Sequence, residues 1–208
     1  MPVTSGPLGT ISLRFAEIRP PKPAAHPLYK RVFVPAILNC MDAYLAIASR
    51  REVRDYDGRP LPDDAVRRIL DAGRLAGSSK NRQNRRFVVV RSRTEEVANA
   101  VYAPRNVLGA ALVVAIVTFG KGPLAFDAGR AAQNMMLAAW NEGIGSCPNG
   151  VADAEAMRRA LDLREGEQAA IVLSFGYPRR PTSPERRPPE RWVEAADRVP
   201  FEKAVEVL

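Results

Sequence analysis

The segment that most constrains what this 208-residue chain can fold into is residues 111–119, which are almost entirely apolar. A strand that is apolar along its whole length must be covered on both faces, so the segment predicts a strand that is buried on both faces of its sheet. It is far shorter than the roughly 20 apolar residues that a membrane-spanning helix needs, and we expect no membrane association. Shorter apolar runs at 87–90 and 169–175 predict two further strands.

Apolar residues at helical spacing fill the intervals between these strands. One helix is predicted to open at Met41 with Asp42 in its first turn, and a second to end at a Gly77 C-cap. Thr94 and Asp153 are predicted to cap two short helices.

The most apolar helix is predicted at about 126–142, and residues 143–150 are predicted to form a glycine-rich loop after it. One face of this helix carries a stripe of small residues and one methionine, at Ala128, Ala131, Ala132, Met135 and Ala139. Such a stripe is typical of a core or of a dimer interface. Strands and helices that mix without regular alternation indicate an α+β fold.

The chain length fits one domain with a sizeable core. We expect a Pro-rich N-terminal extension at 1–40, a folded domain at 41–178 and a C-terminal arm at 179–208. The arm is too polar to fold alone and should lie across another surface. The N-terminus lacks the pattern of a signal peptide, which favours the cytoplasm.

The few cysteine and histidine residues exclude several kinds of chemistry. Two cysteines and one histidine cannot build a disulfide framework, an ordinary zinc site or a histidine-based nucleophilic triad. We therefore expect no metal site and no such triad. Cys147, next to Pro148, is expected to be a small buried residue.

Basic residues cluster, and the net charge is +8. Arg50, Arg51 and Arg54 lie within five residues, and seven basic residues with no acidic one occupy 74–93. The planar fork of arginine suits a phosphate, so an anionic ligand is one interpretation. A solvated basic patch at a helix end is the other. A nucleic-acid-binding module is a weaker hypothesis, because aromatic residues do not alternate with the basic residues, as they would on a surface that stacks nucleobases.

In their order along the chain, these motifs resemble those of the FMN-dependent nitroreductase family. That family's motif Arg-Arg/His-Ser-x-Arg/Lys-x-Phe/Tyr matches residues 50–56 except at Glu52. Its motif Ala-Pro-Ser-x-x-Asn-x-Gln-Pro-Trp-x-Phe shares its Ser, Asn, Gln and Phe with residues 76–87. A long Ala-rich helix, a Gly-Ile-Gly-Ser segment and Gly-Tyr-Pro at 176–178 complete the resemblance, which covers about 41–192.

The resemblance implies a three-layer α+β fold, with a central and mainly antiparallel sheet flanked by helices, in an intertwined homodimer. FMN would lie in the dimer interface. Arg50 and Arg51 would bind its phosphate and ribityl chain, and Arg54 would face the pyrimidine edge of the ring.

Other segments would complete this site by resemblance. Backbone N–H groups around Pro148, Asn149 and Gly150 would face the N5 and O4 edge of the flavin, and Asn106 or Arg105 would add a ring contact. Arg186 or Arg187, in an arm that wraps over the partner subunit, would complete the phosphate site. The second subunit would supply a set of polar residues, Ser78, Ser79 and Asn81.

The implied function is an oxidoreductase that takes hydride from NADH or NADPH and reduces a small acceptor by a ping-pong mechanism. The acceptor would be a nitroaromatic, a quinone or an activated alkene, and the cofactor FMN or a deazaflavin. The alternative is a flavin-binding protein without NAD(P)H turnover, or a dedicated biosynthetic flavin oxidase or reductase.

Two departures from the family pattern affect the expected site. Glu52 replaces a hydroxyl with a carboxylate that would repel a phosphate, unless Glu52 turns away and pairs with an arginine. Only a few residues join Phe119 to Asp127, where many relatives carry a helical insertion that covers the active site. The pocket should therefore be more open, or be covered by residues 1–40.

Deleting residues 1–40 should change the selectivity among electron acceptors, because these residues would take the place of the missing insertion. Steady-state kinetics of the full-length and truncated proteins across a panel of nitroaromatics and quinones measure this effect. Unchanged relative rates for the truncated protein would contradict the prediction.

Overall fold

A computed structural model describes residues 41–207, and the predicted extension at 1–40 lies outside them. The strands are β1 (Arg85–Val90), β2 (Leu112–Phe119), β3 (Gly145–Asn149) and β4 (Glu167–Gly176). The helices are α1 (Ala43–Ser49), α2 (Asp63–Leu75), α3 (Thr94–Asn99), α4 (Pro104–Leu108), α5 (Leu124–Asn141), α6 (Ala154–Ala160), α7 (Pro189–Glu194) and α8 (Phe201–Ala204). Short 3-10 turns occur at Ser79–Asn81 and Pro184–Arg186. Among the described helices, none combines the length and apolar character needed to cross a bilayer.

The four strands form one sheet in the order β1-β2-β4-β3, with every neighbouring pair antiparallel. Alternate side chains of β2 enter two different cores, because successive residues of a strand point to opposite faces. Val114 and Ile116 join the core formed with α2 and α5, whereas Val113 and Val117 join the core formed with α3 and α6. The predicted burial of this strand on both faces is confirmed, and the fold is a three-layer α+β structure.

Helix α5 covers one face of the sheet through the predicted stripe, all of whose members are buried. Small residues let α2 approach α5 closely, and a Cβ added at Gly73 would lie 2.7 Å from Met135 Sδ. Only residues 120–123 connect β2 to α5, so the short connection expected here is confirmed.

The prediction of a loop at 143–150 was wrong, since residues 145–149 form strand β3 and pair with β4. Gly145 and Pro148 have low strand propensity, which is why the local sequence indicated a loop. The partner strand β4 supplies the hydrogen bonds that override this preference.

Three helix ends also differ from the predictions. Asp42 is the N-cap of α1 and accepts hydrogen bonds from the N–H groups of Tyr44 and Leu45, so the helix begins after Met41. The N-cap of α3 is Arg93 rather than Thr94, and α2 has its C-cap at Ala76 rather than Gly77. By contrast, Asp153 is confirmed as the N-cap of α6.

The segment that follows α1 runs along the outer edge of β3. Glu52 forms a parallel bridge with Ser146, and the N–H of Val53 donates to the carbonyl of Ser146 at 3.0 Å. The buried Tyr56 then donates its hydroxyl to the Val53 carbonyl at 2.7 Å. A glycine at 145 permits this approach, because a Cβ there would lie 2.6 Å from the Cβ of Val53.

Gly145→Ala should therefore lower the free energy of unfolding by about 1–3 kcal/mol, the usual cost of overpacking a close contact. Val53 is β-branched and cannot easily rotate away from the added methyl group. Chemical denaturation of both proteins measures the change.

Gly109→Ala is the matched control, since Gly109 has a φ of −85° and its added Cβ would lie 3.5 Å from the Arg105 carbonyl. This variant should be close to wild type. Equal losses in the two variants would count against the proposed steric role of Gly145.

Candidate functional site

Helix α1 delivers the arginine stretch to the edge of β3. Ser49, its last residue, is buried, and its hydroxyl accepts a hydrogen bond from Trp140 Nε1 at 2.9 Å. Arg50 leaves the helix with φ −57° and ψ 133°, which turns the chain into the extended segment beside Ser146. The buried end of α1 therefore sets the backbone position from which the arginine side chains extend.

Arg50 and Glu52 form an ion pair in which Arg50 Nη2 donates to Glu52 Oε1 at 2.8 Å. Their side chains are 15% and 31% exposed. Within residues 41–207, Arg50 Nη1 and Glu52 Oε2 are buried without a hydrogen-bond partner. Glu52 thus pairs with the same arginine that the resemblance assigns to a phosphate. The unmet guanidinium donor is a group that an anion could satisfy.

Arg51 is held by backbone carbonyl groups. Its Nη1 donates to Ala48 at 2.8 Å and to Arg50 at 2.9 Å, and its Nη2 donates to Trp192 at 2.8 Å. Burial lowers the pKa of Arg51, and the positive charges of Arg198 and Arg50 lower it further. Three guanidinium groups therefore crowd together, and Glu52 makes the one ion pair found for them among the described residues.

Trp192, in α7, anchors the C-terminal arm beside Arg51. The residue is buried, and its Nε1 donates to the Pro184 carbonyl at 3.0 Å. The guanidinium carbons of Arg51 and Arg187 lie 5.6 and 5.3 Å from the centroid of its ring. These cation–π contacts hold both arginines against one ring. Arg186 is exposed on the preceding 3-10 turn.

A buried polar network fixes β3 to β4. Ser174 Oγ lies 3.1 Å from the Tyr56 hydroxyl and donates to the Cys147 carbonyl at 3.2 Å. Asn149 Nδ2 donates to the same carbonyl at 3.0 Å, and Asn106 Nδ2 donates to Asn149 Oδ1 at 3.0 Å. Two residues predicted to contact a ring, Asn106 and Asn149, therefore bond to each other through buried side chains.

Cys147 is 1% exposed, and burial raises the pKa of its thiol. The positive charge of Arg54 opposes this increase in pKa, which places the exposed Arg54 beside Cys147. A buried thiol with a raised pKa is a poor nucleophile. The expectation of a small buried residue is confirmed.

Pro148 and Gly150 lie on either side of Asn149. Pro148 is half-buried and lines a cavity of about 560 Å³ between β4 and the small residues of α5. A Cβ at Gly150 would lie 3.2 Å from the ring of Tyr102, which is 79% exposed. The cavity has the size and largely apolar lining of a small-molecule site.

Ser78, Ser79 and Asn81 lie in the loop between α2 and β1, named here the serine loop (residues 78–81). Ser78 Oγ accepts a hydrogen bond from the N–H of Gln83 at 2.9 Å, and the N–H of Ser79 donates to Asp127 Oδ2 at 3.1 Å. Asn81 is exposed and has a φ of 52°, in the left-handed region. The loop is therefore fixed by its own contacts and by α5.

The serine loop lies far from the arginine cluster, defined as Arg50, Arg51, Arg54, Arg187 and Arg198. The loop leads into β1 and the cluster lies beside β3, which are the two edges of the sheet. Three interstrand spacings, about 14 Å, separate these edges. One protomer therefore offers two partial sites, and no hydrogen bond or ion pair joins them within residues 41–207.

Reasoning from the sequence missed Arg198 and the role of Trp192. Arg198 follows α7 in a segment without a motif, and its effect on Arg51 arises only from the fold. A signal was present for Trp192, since a large aromatic residue in a polar arm usually needs a buried place.

The sequence model of a protein family, the nitroreductase family, matches residues 47–118 and 123–177 of this chain. The matched residues include Arg50, Arg51 and Arg54, the serine loop, and the four strands except for the last residue of β2. The chain belongs to the nitroreductase family. This is a family of oxidoreductases.

Known relatives agree with this membership. A protein of Archaeoglobus fulgidus, provisionally named NADH dehydrogenase/NAD(P)H nitroreductase, is 34% identical over an alignment of 146 residues, and the match covers 64% of this chain and 83% of the relative. A nitroreductase family protein of Clostridium difficile is 22% identical with a TM-score of 0.67, covering 80% of this chain and 98% of its own. A provisionally named nitroreductase of Desulfovibrio desulfuricans, solved in complex with FMN, is 30% identical with a TM-score of 0.64. The match covers 77% of this chain and 99% of the Desulfovibrio chain.

In this nitroreductase-family chain, the family match ends at residue 177. Arg187, Trp192 and Arg198 all lie after that point. Their contribution to the arginine cluster is supported by contacts in this structure: Trp192 and Arg198 act on Arg51, and Arg187 lies against the Trp192 ring.

Trp192→Ala should lower the free energy of unfolding by about 3–5 kcal/mol, the usual cost of removing a buried Trp side chain. The change removes the ring between Arg51 and Arg187, so the arm at 179–207 should also become more sensitive to proteolysis. Thermal unfolding and limited proteolysis measure the two effects.

Trp192→Phe is the control, because it keeps an aromatic face for both arginines and loses only the Nε1 hydrogen bond and some volume. The loss in free energy of unfolding should be clearly smaller for Trp192→Phe than for Trp192→Ala. A Trp192→Ala protein with wild-type stability and an equally resistant arm would rule out an anchoring role.

Proposed function

We propose that this nitroreductase-family protein is a homodimeric, FMN-dependent oxidoreductase. It would accept reducing equivalents from NADH or NADPH and reduce a small nitroaromatic, quinone or activated alkene in ping-pong order. The proposal includes a cytoplasmic location, where both nicotinamide co-substrates are present.

The observation that carries the proposal is the unmet positive charge of the arginine cluster. Arg50, Arg51 and Arg198 lie close enough for the other two charges to lower the pKa of Arg51. Arg50 Nη1 is buried within this group and has no hydrogen-bond partner among the described residues. A phosphate oxygen would satisfy this donor, and its negative charge would relieve the repulsion.

The residues present fit FMN in distinct roles. Arg50 Nη1 and the exposed side chains of Arg187 and Arg198 would bind the phosphate. Arg51 donates to three carbonyl groups, so it would contribute mainly its charge and its contact with Trp192. Arg54, beside Cys147, would face the ring, as the resemblance implies.

A second subunit would bring the two partial sites together. The serine loop of one protomer could then reach the β3 edge of its partner, a distance it does not cover within one chain. Leu75 and Phe126 support this arrangement, since they are 65% and 66% exposed beside the start of the serine loop. In a two-fold dimer the same contacts occur twice, so two complete sites would form.

The C-terminal arm supports the same assembly. After Trp192 it exposes a series of large apolar side chains: Val193, Val199, Phe201, Val205 and Val207. Exposed apolar residues in one short segment are typical of an interaction surface. We propose that this part of the arm, with Arg186 and Arg187 at its base, lies on the partner.

Bound FMN would supply the redox chemistry, so no side chain need act as acid, base or nucleophile. The chain's own task would be to hold the phosphate in the arginine cluster and to present the backbone of residues 148–150 to the ring. The poor nucleophilicity of Cys147 is compatible with this task.

The direct test is the visible spectrum and the mass in solution of the purified full-length protein. We expect a yellow dimer that loses its flavin absorption when NADH or NADPH is added without oxygen. A colourless monomer that is indifferent to added FMN would overturn the proposal. Flavin binding without loss of absorption would support the alternative of a flavoprotein without NAD(P)H turnover.

Arg198→Glu should weaken FMN binding at least about tenfold, since it replaces an attractive charge near the phosphate with a repulsive one. The side chain is exposed, so the fold should remain intact. Quenching of flavin fluorescence measures the dissociation constant.

Arg67→Glu makes the same change of charge at an exposed position on α2 and is the matched control. FMN affinity should stay close to that of wild type. Equal weakening by both variants would show that only the net charge of the protein matters.

A further inference from the structure

Glu52 places a negative charge inside the arginine cluster. Its Oε1 accepts from Arg50 at 2.8 Å, and this single hydrogen bond leaves Oε2 buried without a partner among the described residues. A carboxylate and a guanidinium that face each other well form two parallel hydrogen bonds. The pair in this structure makes one, so it neutralises the charge of Arg50 while leaving its Nη1 donor unused.

The backbone keeps Glu52 in this position. Glu52 bridges to Ser146 on the edge of β3, and the next residue, Val53, donates to the Ser146 carbonyl at 3.0 Å. The influence of the carboxylate extends to neighbouring groups. Burial raises the pKa of Tyr56 and of Cys147, and the charge of Glu52 adds to both increases. The carboxylate thus lies among the residues of the site and does not turn out to solvent.

We propose that Glu52 is a specificity-determining residue that weakens the preference of this site for a phosphorylated flavin over riboflavin. The inference rests on the proposed flavin function. A flavin phosphate carries between one and two negative charges near neutral pH, and Glu52 repels them. Riboflavin lacks the phosphate, so Glu52 has little effect on its binding.

The same argument explains how the cluster can still bind FMN. Arg51, Arg187 and Arg198 remain unpaired with any carboxylate among the described residues, and Arg50 retains its Nη1 donor. The attraction from these groups exceeds the repulsion from one carboxylate. Glu52 therefore reduces the contribution of the phosphate without abolishing it.

The test compares the dissociation constants of FMN and riboflavin for the full-length protein, measured by quenching of flavin fluorescence. The wild type should prefer FMN by no more than about tenfold, and Glu52→Gln should widen the preference by about another tenfold, or about 1.4 kcal/mol. Glutamine keeps an oxygen that can accept from Arg50, so the variant should retain the fold. Riboflavin affinity should change by less than about twofold.

Glu165→Gln, at an exposed position in the turn before β4, is the matched control and should leave the ratio of the two constants unchanged. A ratio that stays constant or falls in Glu52→Gln overturns the inference while leaving the proposed function intact. Failure of the wild type to bind either flavin overturns both.

Glu52→Ser is a second variant for the case in which Glu52→Gln does not fold. It also removes the charge, so the preference for FMN should widen in the same direction. If neither variant folds, the ratio of the riboflavin and FMN dissociation constants of the wild type tests the inference. A preference of the wild type for FMN clearly greater than about tenfold would then overturn the inference, and a preference within about tenfold would support it.

Discussion

The candidate site depends on the attachment of residues 50–56 to the edge of β3. An open edge of a sheet offers unpaired backbone groups, and the segment after α1 occupies part of this one. The bridge from Glu52 to Ser146, the hydrogen bond from Val53 and the buried ring of Tyr56 fix the segment at several points. Gly145 has no side chain to keep the segment away. The same contacts that complete the sheet therefore orient Arg50, Arg51 and Arg54.

Positive charge is concentrated where it costs stability. Burial and the neighbouring charges of Arg198 and Arg50 lower the pKa of Arg51, so the cluster is held together against repulsion. The carbonyl groups at the end of α1 and at Trp192, together with the Trp192 ring, offset part of that cost. Positively charged side chains that are held close together repel one another, and a bound anion would reduce that repulsion. Glu52 moderates this charge rather than cancelling it.

The sheet order explains why one chain offers only parts of the proposed site. The serine loop leads into edge strand β1 and the arginine cluster lies beside edge strand β3, so the width of the sheet separates them. A two-fold assembly is the simplest arrangement that could place one edge beside the other. Exposed apolar residues lie beside the serine loop and in the C-terminal arm.

The local sequence determined the elements whose signals are local. The apolar run of β2, the stripe on α5 and the cap at Asp153 follow from side-chain periodicity and capping chemistry. Three motifs in order along the chain, of which the arginine motif is the first, indicated the family before any contact was known. Strand β3 was not predictable in this way, because Gly145 and Pro148 favour a loop until β4 provides hydrogen bonds. Only the tertiary structure decided that Glu52 pairs with Arg50, that Trp192 contacts Arg51 and Arg187, and that Arg198 joins them. The physical reason is distance along the chain: periodicity describes the nearest turns, whereas these contacts form only when the folded core brings remote segments together.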